Sequence, residues 1–332
     1  MVTLSHGGYA KAQPVSDYQA QRRGGRGKAA TSVKDEDFVD KLFVANTHDT
    51  LLCFSDHGKL YWLKVYQLPQ ASRGSRGKPI VNLLPLQDGE RISAMLSIKE
   101  FEAGKFVFMA TSLGTVKKTP LALFSRPRAN GIIAVALDEG DKLVGVAITD
   151  GTKDILLFTT GGKAIRFIED EVRPMGREAA GVRGVKLNET QRVNALIVAE
   201  QGYILTASQN GFGKLTPLED FPTHGRGGQG VIALQVTDRN GGMIGALQVS
   251  VDDEIMLMSQ AGVLVRTPVK DISVVGRNTQ GVRLIRLEEG DQLSGLERID
   301  GIAETAAGEV IDAPGDESPG DEPPGGDPPA GP

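Results

Sequence analysis

The residues best suited to chemistry are those of Gln21-Arg22-Arg23-Gly24-Gly25-Arg26-Gly27, followed at once by Lys28. Three arginines and three glycines share this stretch, with no apolar side chain to bury. Arginine carries a flat, permanently charged fork that engages phosphate oxygens two at a time. Glycine lets a partner approach the main chain, whose amides then add anion-binding donors. The chemistry is anion recognition, and the charge density suits a phosphodiester backbone. On composition alone the stretch would equally fit a flexible Arg/Gly linker, so its recurrence decides.

The same slot returns five times. It reads Ser72 to Gly77 with Arg73, Arg76 and then Lys78, and next Arg126-Pro127-Arg128-Ala129-Asn130-Gly131. It reads Gly176 to Gly181 with Arg177 and then Arg183, and His224 to Gly230 with Arg226. Last comes Gly276 to Gly281 with Arg277, followed by Arg283. The closing glycines 27, 77, 131, 181, 230 and 281 are separated by 50, 54, 50, 49 and 51 residues. A linker has no such period, whereas a propeller-like array of four-stranded units does.

Other chemistries find little support. His6, His48, His57 and His224 are scattered, and with the single Cys53 they make no metal-ligand spacing. No G-x-x-x-x-G-K-[ST] loop is present, so the glycines do not form a nucleotide-binding P-loop. Tyr9, Tyr18, Tyr61, Tyr66 and Tyr203 fall in strand or loop slots of the repeat, where packing is the expected role. Trp62, between Tyr61 and Leu63, suits blade packing better than base stacking, and Asp35-Glu36-Asp37 and Glu169-Asp170-Glu171 read as solvated loops. No cofactor or metal is expected for this chain.

The elements that must carry the boxes repeat in step with them. Turn glycines at 8, 58, 114, 162, 211 and 262 precede the closing glycines by 19, 19, 17, 19, 19 and 19 residues, as if each repeat were one rigid unit. Nearly continuous apolar runs precede the turns, such as Ile155-Leu156-Leu157-Phe158, and suit strands covered on both faces. After the turns, bases stand among apolar residues (Lys11, Lys59, Lys117, Lys118, Lys163, Arg166, Lys214, Arg266). Proline ends several of these strands (Pro14, Pro120, Pro217, Pro268), because it cannot donate to a ladder. Four residues later comes an apolar side chain (Tyr18, Leu68, Phe124, Val172, Phe221, Ile272) that predicts a short, pinned turn delivering the box to the outer edge. Two further strand-like runs follow each box.

The expected fold is all-β, a six-bladed β-pinwheel or propeller-like repeat array over residues 1–300, closed as a ring or opened as a shallow spiral. Residues 301–332 are rich in Pro, Gly, Asp and Glu and are expected to form a disordered acidic tail. That tail carries eight acids and no base, which leaves 34 acids against 37 bases in the body. A formal charge of −5 therefore does not argue against nucleic-acid binding. One cysteine, no long apolar run and no signal-peptide pattern predict a soluble, cytoplasmic protein with no membrane partner. The chain opens in mid-repeat and reads as part of a longer protein.

The box Gln21–Gly27, with the near-fifty-residue repeat and six units, resembles the C-terminal domain of DNA gyrase A subunits. The resemblance covers about residues 1–300 and implies a DNA-wrapping rim that lets the whole enzyme introduce negative supercoils. It implies duplex DNA as partner, gyrase A and gyrase B in an A2B2 enzyme, Mg²⁺ and ATP for that enzyme only, and a monomeric isolated domain in a bacterial, nucleoid-associated setting. Gln21, Arg22, Arg23, Gly24, Gly25, Arg26, Gly27 and Lys28 carry over as the box. Arg73, Arg76, Lys78, Arg126, Arg128, Arg177, Arg183, Arg226, Arg277 and Arg283 follow as rim contacts. The later boxes depart from the pattern, as at Glu178, and are expected to hold DNA more weakly. No catalytic tyrosine domain is present. Two alternatives stand beside this reading: the DNA-positioning C-terminal domain of topoisomerase IV, and a propeller-type protein-interaction scaffold.

Overall fold

The computed structural model of the protein describes residues 1–5, 7–14, 39–43, 45–72, 75–261 and 263–299. The first box with Lys28, Arg73 and the acidic tail lie outside the described residues. The described residues contain β-strands and single 3₁₀ turns but no α-helix.

The first repeat supplies β1 (Val2–Ser5), β2 (Tyr9–Ala12) and β3 (Val39–Phe43). The second supplies β4 (Thr50–Ser55), β5 (Lys59–Lys64), β6 (Lys78–Pro79) and β7 (Ile92–Ile98). The third gives β8 (Phe106–Thr111), β9 (Thr115–Pro120), β10 (Ile132–Ile133) and β11 (Leu143–Thr149). The fourth gives β12 (Asp154–Thr159), β13 (Lys163–Ile168), β14 (Val182–Arg183) and β15 (Val193–Val198). The fifth gives β16 (Tyr203–Ser208), β17 (Phe212–Pro217), β18 (Val231–Ile232) and β19 (Met243–Val249). The sixth gives β20 (Glu254–Ser259), β21 (Leu264–Pro268), β22 (Val282–Arg283) and β23 (Leu293–Ile299).

These strands form six antiparallel sheets: β3-β1-β2-β6, β7-β4-β5-β10, β11-β8-β9-β14, β15-β12-β13-β18, β19-β16-β17-β22 and β23-β20-β21. The six-bladed all-β architecture expected from the repeat is therefore present. One expectation needs correction. The repeat is not a self-contained blade, because the short strand after each box pairs with the blade before it. The constant spacing from turn glycine to closing glycine thus fixes how two blades are stitched together. For the sixth sheet the matching slot falls at residues 28–29, outside the described residues.

The inner strands β7, β11, β15, β19 and β23 touch in sequence, and β23 also reaches β3. The first and last blades therefore meet, as a ring requires. The cores lie between blades. Leu51 and Cys53 of β4 face Val2, Leu4 and Ala10, while Leu52 and Phe54 of the same strand face Val107, Met109 and Phe124. Alternate side chains of one strand serve two cores, which is why the strand has no polar face. The pinned turns are 3₁₀ turns at 65–67, 121–124, 169–171, 218–220 and 269–271. Leu68, Phe124, Val172, Phe221 and Ile272 are buried beside them, as the spacing predicts.

Candidate nucleic-acid interface

Each described box is an arch footed on the third strand of the preceding blade. In four of them the residues before the arch make an isolated parallel bridge to that strand: Gln70 to Ala12, Pro174 to Lys118, Thr223 to Arg166 and Val274 to Leu215. The strand after the arch makes a two-residue antiparallel ladder to the same strand, as Val231 does to Ala164 and Ile232 to Lys163. Third-box geometry differs at the first foot, where the Trp62 indole N–H donates to the Phe124 carbonyl at 2.9 Å. This assigns Trp62 to packing at a blade junction.

The closing glycine turns the arch into its second foot. Gly281 has φ +76, and a Cβ there would stand 2.5 Å from the Gly213 carbonyl oxygen and 2.8 Å from its carbon. Only glycine tolerates both the left-handed backbone and that approach. Gly276, which opens the same arch, would carry a Cβ into empty space. The closing glycine is thus structural, while the opening one leaves room for a partner.

Beneath the arch lies the third residue after the turn glycine, and here the blades alternate. In the first, third and fifth blades it is Lys11, Lys117 and Lys214, which are 1%, 1% and 0% exposed. The Lys11 Nζ donates to the carbonyls of Ser72 at 3.2 Å and Ser75 at 2.9 Å, inside the second arch. Lys117 donates to the Arg177 carbonyl of the fourth arch and to Ala134 O at 2.9 Å. Lys214 donates to Gly276 O at 2.7 Å, Thr279 O at 3.2 Å, Thr279 Oγ1 at 3.0 Å and the Arg277 carbonyl, all in the sixth arch. Burial pushes Lys117 and Lys214 down to about 8, helped by the guanidinium groups of Arg177 and Arg277 respectively. Burial lowers Lys11 as well. In the second and fourth blades the same place holds Tyr61 and Ile165, both buried. The Tyr61 hydroxyl instead donates to the Glu90 carboxylate, 3.0–3.1 Å away.

The expected rim residues differ in how far the protein itself engages them. Arg126 and Arg128 on the third arch, Lys78 on β6 and Arg183 on β14 are exposed. Arg76 and Arg283 lie over aromatic rings, the first 5.1 Å from Tyr9 and the second 5.2 Å from Phe212. Arg226 and Arg277 are partly committed to the protein. Arg226 donates through Nε to Glu171 O and through Nη1 to Arg183 O, both at 3.0 Å. Arg277 donates through Nη1 to Ile232 O at 3.0 Å. These two guanidiniums rivet each arch to the short strand that follows the arch before it. Arg177 is half-buried. Gln21 to Lys28 and Arg73 lie outside the described residues.

Side chains that composition alone would not assign complete the surface. Lys163 Nζ donates to Gln229 Oε1 of the fifth arch at 3.1 Å. Arg239 shares the Phe212 ring with Arg283, 5.0 Å from its centroid. The post-turn bases Lys11, Lys117, Lys118 and Lys214 are buried rather than rim-facing. A base at the third position after alternate turn glycines was the available signal. Among the described residues no three His, Cys, Asp or Glu side chains converge as metal ligands would. Among them also, no helix is long and apolar enough to cross a membrane.

Comparison with known proteins agrees with this geometry. The family model described as DNA gyrase C-terminal domain, beta-propeller, matches residues 1–46, 49–99, 105–150, 153–200, 202–250 and 253–300, one match per repeat. The DNA gyrase A subunit of Salmonella typhimurium is 58% identical over 314 residues, covering 94% of this chain and 35% of that protein. The DNA gyrase A subunit of Escherichia coli K12 is 55% identical over 300 residues, covering 90% and 34%. The chain thus spans about a third of the length of these relatives. Two solved structures share the fold. The C-terminal domain of DNA topoisomerase IV superposes with TM-score 0.77 at 28% identity, covering 90% of this chain and 92% of that one. A DNA gyrase A C-terminal domain superposes with TM-score 0.72 at 26% identity, covering 90% and 98%.

Proposed function

The chain belongs to the DNA gyrase C-terminal β-propeller family, and on that footing we propose that its rim binds duplex DNA through phosphates and bends it around the blades. The observation that carries this is the placing of Arg126, Arg128, Lys78, Arg183 and Arg283. Arg126 and Arg128 sit on the third arch, while Lys78, Arg183 and Arg283 sit on the outermost strands of the first, third and fifth sheets. Among the described residues, none of the five shares an ion pair with a carboxylate. Charge repeated along an edge tracks a backbone; it does not read bases. Gln21 to Lys28, Arg73, Arg76, Arg177, Arg226 and Arg277 belong to the same proposed track. Arg226 and Arg277 keep only part of each guanidinium free for phosphate.

Wrapping around six blades would bend the duplex by about 60° per helical turn, somewhat more sharply than the roughly 45° of a nucleosome. Such bending needs many phosphate contacts to offset it. Within a gyrase A2B2 enzyme, with ATP and Mg²⁺ acting elsewhere, the wrapped segment would set the handedness of strand passage and so introduce negative supercoils. The bacterial cytoplasm, at the nucleoid, is the matching location.

The test is DNA affinity across a salt series. Neutralising six to ten phosphates gives a slope of log K against log salt of about −5 to −9. Replacing Arg126 and Arg128 by serine should flatten it by about 0.9 for each phosphate no longer neutralised, equally for unrelated sequences. A slope near zero, or strong preference for one sequence at fixed salt, contradicts the proposal.

A further inference from the structure

The rim alternates in a way that phosphate binding alone does not require. Three arches are backed by a buried ammonium and two described arches by Tyr61 or Ile165. Every described arch already has a foot in ordinary backbone pairing, so pairing does not explain the lysines. A buried lysine is costly unless its donors are satisfied. Here they are satisfied by carbonyl oxygens of the arch overhead, two or more of them for Lys11 and Lys214. Those carbonyls belong to residues 60 to 65 positions further along the chain. Each lysine therefore ties the peptide groups of a distant loop to one point. An arch held this way has its amides and arginines already oriented before a partner arrives. The third arch, over Tyr61, has no such anchor, whereas the fifth, over Ile165, is held from its side: Arg226 donates to the Glu171 and Arg183 carbonyls, and the Gly227 N–H donates to the Gly184 carbonyl at 2.7 Å.

We propose that Lys11, Lys117 and Lys214 are positioning residues that preset the second, fourth and sixth arches for phosphate, leaving the third to adapt as the duplex bends. The inference rests on the reading that the arches face DNA. The lysines touch no phosphate themselves, being buried under the arch.

Amide hydrogen exchange of the whole chain, read by peptide mass, separates the possibilities. In the free wild-type protein, peptides over 72–77, 176–181 and 276–281 should exchange more slowly than the peptide over 126–131. Lys214→Met should speed exchange of 276–281 by about tenfold and leave 224–230 unchanged. It should weaken DNA binding about fivefold, the effect of ordering one loop on binding, with the salt slope unchanged. Lys214→Gln, whose amide still donates to carbonyls, should restore part of both.

Equal exchange of the lysine-backed arches and of 126–131 in the wild type overturns the proposal and needs no variant to fold. So does unchanged exchange of 276–281 in a folded Lys214→Met protein. A salt slope reduced by about 0.9 in that variant would make Lys214 a phosphate contact instead, which also overturns it. If DNA protects none of the arches and binding shows no salt dependence, the rim reading fails, and that outcome is distinct from failure of the alternation.

Discussion

Gly281→Ala tests the stitching of blades directly. The left-handed backbone at φ +76 costs an L-residue about 1–2 kcal/mol. The new Cβ would lie 2.5 Å from the Gly213 carbonyl oxygen, and its nearest neighbours are all backbone atoms. No side chain can rotate aside, so β22 must lift from β17. That ladder has two residue pairs, Phe212 with Arg283 and Gly213 with Val282. Weakening its hydrogen bonds costs about 1 kcal/mol for each bond broken. Reduced freedom of the unfolded chain returns about 0.4–1 kcal/mol. The net loss is about 3 kcal/mol, or a fall in Tm of about 6 °C for a unit of this size. Gly276→Ala in the same arch meets nothing within 4 Å and should leave Tm unchanged or slightly higher. Differential scanning calorimetry of the two variants decides. Equal Tm values, or a Gly281→Ala shift under about 1 °C, would mean that the blades are not stitched through this glycine.

Two further outcomes follow from charge. Lys214 has a folded-state value of about 8 against an ordinary value of 10.5, so the folded state sheds its proton first as pH rises. Its contribution to stability should therefore increase from pH 8 to 10.5, and the difference in urea stability between wild type and Lys214→Met should shift in favour of the wild type by about 1 kcal/mol between about pH 7 and pH 9. A constant difference would mean that the arch carbonyls hold the proton as firmly as water does. Truncation after Gly301 removes eight carboxylates from a chain whose remainder carries 37 bases and 34 acids. It should tighten DNA binding at low salt, with the gain fading as screening increases; equal affinities across the salt series would make the tail a spectator.

Much of the fold is legible because it is written six times. A strand such as Leu51 to Phe54 is apolar at every position since its alternate side chains enter two different cores. Leu68, Phe124, Val172, Phe221 and Ile272 recur because one buried side chain must pin each turn. The exchange of the outermost strand is not legible. Ile132-Ile133 and Val231-Ile232 are too short for any periodicity, and their partners lie about seventy residues earlier. The boxes are legible as positive charge, but their internal divisions are not. Arg226 and Arg126 look alike in sequence, yet one donates to the Glu171 and Arg183 carbonyls while the other is exposed. Lys117 and Lys163 both follow a turn, but two residues of register place the first under an arch and the second beside one. Both positions lie on the same face of a strand, and only the three-dimensional stitching tells which point along that face lies beneath a loop.

Whether DNA follows the rim and is bent by it can be read from DNA topology. Relaxed closed circular DNA should be saturated with the chain, treated with a nicking-closing enzyme, stripped of protein and separated by topoisomer. The expected result is a change in linking number proportional to bound protein, abolished when Gln21 to Gly27 are replaced by alanines and the fold is kept. An unshifted distribution at saturation would mean that the rim does not bend the duplex, and a full shift with the box replaced would mean that the box does not hold it.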